Sequence, residues 1–224
     1  MYIRTFLLLL LIFNSFHVYA DHDGNSFLDQ LQKTYESIQN IKADFEHVYR
    51  SLRFEEKKSK GTVAISKPGK MRWDYKIPKG RILVSDGAFI TLYDPEDQQA
   101  LVSPQPKDGS FPLALSFLMG EGKLKEKFRA EVAPQSKNSK LNPLILRCKP
   151  KDFDPNLSEI YLTLDTEDPI KVVGTRIIDG LGGESEISFS NIDLKAKIVK
   201  NFFEFKLPKG AVKVSMPTGN IKMQ

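Results

Sequence analysis

From Gly61 to Gln98, apolar and polar residues alternate in short runs, and turn signals cut the runs at nearly even spacing. Gly61-Thr62-Val63-Ala64-Ile65-Ser66 is followed by Lys67-Pro68-Gly69-Lys70 and then by Met71-Arg72-Trp73-Asp74-Tyr75. Further turn signals fall at Pro78 to Gly80, Asp86-Gly87 and Asp94-Pro95, with apolar runs Ile82 to Val84 and Phe89 to Tyr93 between them. Proline sets φ and glycine frees it where a chain reverses, so the pattern predicts an antiparallel meander. Side chains alternate across a strand, which puts Val63, Ile65, Met71, Trp73 and Tyr75 on one face. A face this large and apolar must be covered, and what covers it decides what the chain can do.

The flanks supply candidates. Ser26-Phe27-Leu28-Asp29 has the form of a capping box, and Leu28, Leu31, Tyr35 and Ile38 then recur at helical spacing over about 13 residues. From Ile41 the period becomes two, with Ile41, Ala43, Phe45 and Tyr49 on one face and Lys42, Asp44 and Glu46 on the other. Arg53 to Lys60 is charged and reads as a solvated hairpin connection. Phe111 to Gly120 is apolar almost all round, opens with Pro112 in its first turn and stops at a glycine, which predicts a helix that is buried or covers something apolar. Lys123 to Phe128 extends the helical pattern. Strands are expected again at Leu144 to Lys149, Glu159 to Leu164, Lys171 to Asp179, Glu186 to Ile192 and Phe202 to Leu207, with a tight turn at Asp179-Gly180. In the last of these, Phe203, Phe205 and Leu207 share a face.

The first 20 residues form a secretory signal peptide: Arg4 in the n-region, an apolar run Phe6 to Phe16, and Val18-Tyr19-Ala20 as the cleavage site. Asn14, Ser15 and His17 interrupt the run, which falls short of the roughly 20 apolar residues a membrane span needs. Cleavage near Ala20 leaves one domain, 21–214, long enough for a sizeable core, and a tail, 215–224, expected to be disordered. The formal charge is +5, and lysines interleave with acids, so a nucleic-acid groove is not indicated. Attraction to anionic lipid or to an acidic partner stays open. Cys148 is the sole cysteine, which rules out an intramolecular disulfide and reads as a small buried hydrophobe.

Chemistry finds little support. Past Ala20 only His22 and His47 remain, and a lone strand histidine is usually structural. No G-x-S-x-G elbow and no cluster with metal-ligand spacing occurs, so no metal and no cofactor is expected. Gly180-Leu181-Gly182-Gly183 precedes a strand rather than opening a helix, which makes it a hairpin turn and not a phosphate loop. Asp74, Asp86 and Asp94 sit at strand ends and turns, where Asp bonds locally.

What remains is a container: a mainly β chain of about ten strands whose sheet curls into an incomplete antiparallel barrel, with helices over the concave apolar face. The pattern leaves open whether those helices plug the face as permanent core or leave a cavity.

Ile41-Lys42-Ala43-Asp44-Phe45, Gly61 with Lys67-Pro68-Gly69-Lys70-Met71-Arg72-Trp73, Leu83-Val84-Ser85-Asp86-Gly87 and Tyr93-Asp94-Pro95 with Gln98 follow one another in an order that resembles the LolA family of periplasmic outer-membrane lipoprotein carriers. Pro112-Leu113, Leu118-Met119-Gly120, Asp179-Gly180 with Gly183, and Phe203-Glu204-Phe205 with Pro208-Lys209-Gly210 continue it across nearly the whole chain past the signal peptide. The resemblance implies an acyl-chain cavity lined by Phe45, Val63, Ile65, Met71, Trp73, Tyr75, Val84, Ile90, Leu92, Phe203 and Phe205. It also implies a helical lid carrying Leu113, Leu115, Phe117 and Leu118. Implied partners are lipidated proteins, an ATP-driven inner-membrane extractor and an outer-membrane acceptor, with the carrier a monomer. Two positions depart from the family pattern. Lys67 stands where the family has an arginine that latches the lid, and an ammonium lacks the planar fork of a guanidinium. Met71 replaces a phenylalanine two residues before the tryptophan. A regulatory module of related fold, or a carrier of another lipid, would satisfy the same residues.

Overall fold

The computed structural model describes residues 24–52, 54–105, 124–134, 143–153 and 157–217. The expected apolar helix at 111–120, with Leu113, Leu115, Phe117 and Leu118, lies outside the described residues, as does the expected signal peptide. Helix α1 spans Gly24–Ser37. It begins upstream of the Ser26 box because Gly24 sits against β7, where a Cβ would lie 2.6 Å from the Ala130 carbonyl.

The meander forms as the pattern demands: β1 (Asn40–Arg50), β2 (Lys57–Ser66), β3 (Lys70–Ile77), β4 (Ile82–Asp86), β5 (Phe89–Asp94) and β6 (Gln99–Pro104). The charged connection is shorter than expected, since Lys57 to Lys60 already pair with β1. Asp86 Oδ1 accepts from Ala88 N and Phe89 N at 2.8 Å, and Asp94 Oδ1 accepts from Glu96 N at 3.0 Å, so both acids build turns. A single helical turn, α2 (Leu124–Lys127), falls within the stretch Lys123 to Phe128 where the pattern suggests helix, and leads into β7 (Phe128–Val132). Then follow β8 (Leu144–Pro150), β9 (Glu159–Asp165), β10 (Lys171–Ile178), β11 (Glu184–Asp193) and β12 (Val212–Ser215).

Among the described residues these strands form one open sheet in the order β12-β6-β5-β4-β3-β2-β1-β11-β10-β9-β8-β7. All neighbours are antiparallel except β12, which pairs parallel with β6. The sheet curls strongly. Trp73 on β3 and Phe189 on β11 are three strands apart, about 14 Å along a flat sheet, yet their rings lie 6.4 Å apart. Among the described residues the architecture is an incomplete barrel with β7 and β12 at its edges. The bulk of the apolar core lies inside the curl, and α1 presses Leu28, Leu31 and Tyr35 onto it. Val172 N donates to the Tyr35 hydroxyl at 3.2 Å, and Ala130 N donates to Asn25 Oδ1 at 3.3 Å, fixing the helix against the β7–β10 half.

One expected strand is absent. Phe202 to Leu207 is a turn followed by extended chain without sheet pairing, part of a crossing strap, 194–217, that runs from β11 over the outside of the sheet to its far edge. Its ring spacing of two comes from packing on a sheet face rather than from membership of the sheet. At the far edge β12 takes it up, and Met216 N donates to Val102 O at 2.7 Å. The strap is thus held as far as Pro217, whose carbonyl accepts from Ser103 Oγ at 2.9 Å.

Candidate functional site: the inner apolar face

The strand registers set the lining in rows. Ala43, Val63, Trp73, Leu83 and Leu92 stand side by side across β1 to β5. Ile41, Ile65, Met71, Ser85, Ile90 and Ser103 form the next row. Across the other half, Leu146, Leu162, Thr175, Ile187 and His47 make a third. Because the period along each strand is two, every second residue of nearly all the strands joins one continuous apolar surface.

At its centre Phe45 lies edge-on to Trp73, with centroids 4.7 Å apart, and to Tyr75, 5.2 Å apart. Such edge contacts add about 0.5–1.5 kcal/mol each beyond burial. Gly61 makes the approach possible. It faces the bulge in β3, where Lys76 is the extra residue, and a Cβ there would collide with the Asp74 carbonyl and touch the Phe45 ring at 3.0 Å.

Of the expected lining, Phe45, Val63, Ile65, Met71, Trp73 and Ile90 are buried in the inner cluster, with Tyr75 and Leu92 packed against it. Val84, Phe203 and Phe205 stand apart from them. Leu83 faces inward, so its neighbour Val84 faces outward and joins Ala64 and Phe203 in a second cluster, with Phe205 beside it. Strands covered on both faces read as continuous apolar runs, which carry no record of which face is which, and this is why the sequence groups Val84 with the lining. The β8–β11 side contributes Leu146, Ile160, Leu162, Ile187 and Phe189, which the sequence reading leaves unassigned. Its signal is the alternation of Leu144, Leu146 and Cys148 and of Ile160, Leu162 and Leu164.

Polar groups on this face are few. His47 is buried, its Nε2 is 2.9 Å from Ser185 Oγ, and burial holds its pKa below the ordinary imidazole value. Burial pushes the Cys148 thiol and the Tyr35 hydroxyl each up to about 12, the latter against the opposing Val172 N–H bond. Both stay neutral, and Cys148 is a buried hydrophobe as its strand pattern suggests. Trp73 Nε1 and Thr175 Oγ1 are buried with no hydrogen-bond partner among the described residues. Lys67 reaches from the β2–β3 turn to the last turn of α1, where its ammonium donates to the Tyr35 carbonyl. Its backbone N–H donates to Gln39 O at 3.0 Å. The Tyr35 carbonyl also accepts from Ile38 N at 3.2 Å, and a cation there suits the negative end of the helix dipole.

The glycine-rich hairpin is filled by its own side chain, since Asp179 Oδ1 accepts from Leu181 N and Gly183 N at 2.8 Å. Among the described residues no group of three or more His, Cys, Asp or Glu could hold a metal ion. No helix among them is long and apolar enough to cross a membrane.

A family model described as outer membrane lipoprotein carrier protein LolA matches residues 36–206. An outer-membrane lipoprotein carrier protein of Legionella pneumophila (strain Paris) is 29% identical over 92% of this chain and 96% of its own. A protein of the same description from Dechloromonas aromatica is 30% identical, covering 82% of this chain and 85% of its own. Among solved structures, an uncharacterized conserved protein from Thermus thermophilus superposes with a TM-score of 0.54 at 14% identity, over 86% of this chain and 98% of that one, a likeness of fold.

Proposed function

The chain belongs to the LolA family of outer membrane lipoprotein carrier proteins, and from that premise we propose that it is a non-enzymatic periplasmic carrier holding lipoprotein acyl chains against the inner face of its curled sheet. The observation that carries the reading is a coincidence of extent. The family match, residues 36–206, takes in β1 to β11, the strands that supply the inner lining. Phe45, Val63, Ile65, Met71, Trp73, Tyr75, Ile90 and Leu92 form one wall, and Leu146, Ile160, Leu162, Ile187 and Phe189 the facing one. The chain receives its cargo from an inner-membrane extractor and passes it to an acceptor on the outer membrane. Its amino-terminal signal directs it to the periplasm.

Energetics ask for incomplete burial. Each methylene is worth roughly 0.8 kcal/mol, so several fully buried acyl chains would exceed the affinity ceiling of about 20 kcal/mol. A carrier must also let go, so the cargo competes with side chains already on the face. Leu28, Leu31 and Tyr35 of α1 are those competitors, and Lys67 is the latch that holds their helix down. Trp73 Nε1 offers an unmet donor to an ester or amide carbonyl at the head of the cargo. Leaving such a group unpaired costs about 1–3 kcal/mol, which cargo would recover.

Native mass spectrometry of the protein purified from periplasm without detergent, with lipid identification of any adduct, tests the reading. A one-to-one complex with an acylated lipoprotein is expected. A different lipid would keep the container and change the cargo. A protein that is empty and takes up no lipoprotein from inner-membrane vesicles would overturn it.

A further inference from the structure

The net charge of this molecule is not spread evenly. The whole chain carries +5, and the strap from Leu194 to Pro217 alone carries six lysines against one acid, Glu204. That segment therefore accounts for the full +5, and the remainder has as many acids as bases. Lys195, Lys197, Lys200, Lys206, Lys209 and Lys213 are all exposed, and none forms an ion pair among the described residues. Interleaved with them are Val199, Leu207 and Val212, exposed at 66%, 44% and 60%.

The strap is not a loose tail. Ala196 and Phe203 are buried beneath it, Arg72 Nη1 donates to the Phe202 carbonyl at 3.3 Å, and its end is paired to β6. Its inward residues pack on Ala64, Val84 and Ile82 of the outer face, so its outward residues are presented on a fixed support. A ligand meeting them finds ammonium groups and short apolar side chains, with no arginine fork among them.

We propose that this strap is a docking surface for the anionic lipid surface of a bilayer. Lysine ammonium groups on flexible stems are attracted to a plane of mobile anionic head groups without needing a fixed partner geometry. Val199, Leu207 and Val212 gain by entering the head-group layer, where an acidic protein surface offers them nothing. Docking on this side turns the inner apolar face away from the lipid. Surface attraction and cargo uptake are therefore separate properties, and one survives the loss of the other.

The test is co-sedimentation of the protein purified from periplasm with phosphatidylglycerol–phosphatidylcholine vesicles and with pure phosphatidylcholine vesicles. Binding is expected to the anionic vesicles alone and to fall steeply as salt shortens the Debye length from about 10 Å at 0.1 M to about 3 Å at 1 M. Each lysine near the surface is worth roughly a fivefold factor, so K195Q, K197Q and K200Q together should weaken binding about a hundredfold. The variant K57Q, K58Q and K60Q removes the same charge from exposed positions on β2 and should lose far less. Equal loss from both triples, equal binding to both vesicle types, or no vesicle binding alongside salt-sensitive capture by a polyglutamate column would each overturn the proposal. Near-native circular dichroism of both triples separates these outcomes from misfolding.

Discussion

Strands β2 to β5 carry apolar residues on both faces, and the two faces do different work. Inside, Val63, Ile65, Met71, Trp73, Leu83 and Ile90 belong to a surface that continues through the facing wall and meets α1. Outside, Ala64, Val84 and Ile82 make a small patch closed by Phe203 and its neighbours from the strap. Among the described residues the inner cover is helix α1, held at its end by Lys67 and at its flank by Tyr35. The outer cover is backbone that continues into a strand of the sheet itself. A cover that belongs to the sheet cannot leave without unravelling an edge, while a helix resting on side chains can be exchanged for other apolar matter. On the proposed carrier reading, exchangeable binding belongs to the inside and lasting closure to the outside.

The sharpest way to break that comparison is to truncate one large ring on each side. Trp73→Ala should cost about 3–5 kcal/mol by urea unfolding, and Phe203→Ala should fall at the low end of that range. Cargo lipid then separates them. At a hundredfold excess over Kd a ligand adds about 2.7 kcal/mol of stability. The Phe203→Ala protein should retain that gain in full, whereas the Trp73→Ala protein should lose most of it. Equal gains in both would place the cargo elsewhere.

Next in size is Gly61→Ala, which forces a Cβ into the Asp74 carbonyl and against the Phe45 ring. A loss of about 1–3 kcal/mol is expected from this overpacking. Tryptophan fluorescence should shift with it, because Phe45 is packed on Trp73. Lys67→Met should cost about 1 kcal/mol, the scale of one charged cap on a helix end. Its signature is faster amide exchange in α1 than in β2, and uniform protection across both would show that Lys67 does not hold the helix.

The smallest effect concerns His47. Burial lowers its folded pKa below the 6.5 of the free group, so the unfolded chain binds the proton first as pH falls. The stability it secures is complete above pH 6.5 and is lost as pH drops through the lowered folded pKa. His47→Gln should flatten that part of the stability profile, and an unchanged slope would assign the acid sensitivity to other groups.

The pattern of apolar positions determined a good deal by itself. The meander, the amphipathic α1, the turn roles of Asp86, Asp94 and Asp179, the buried character of Cys148 and the core of the inner lining all follow from local rules of period and turn chemistry. Sheet order and face were decided by tertiary structure. A period of two states which residues share a side, and not which side becomes the inside, so Val84 reads the same as Leu83. The rings of Phe203 and Phe205 keep strand spacing while lying across a sheet, since a segment packed on a pleated surface inherits its repeat. The parallel return of β12 beside β6 and the nearness of Trp73 to Phe189 depend on long-range pairing and curvature, which no window along the chain contains.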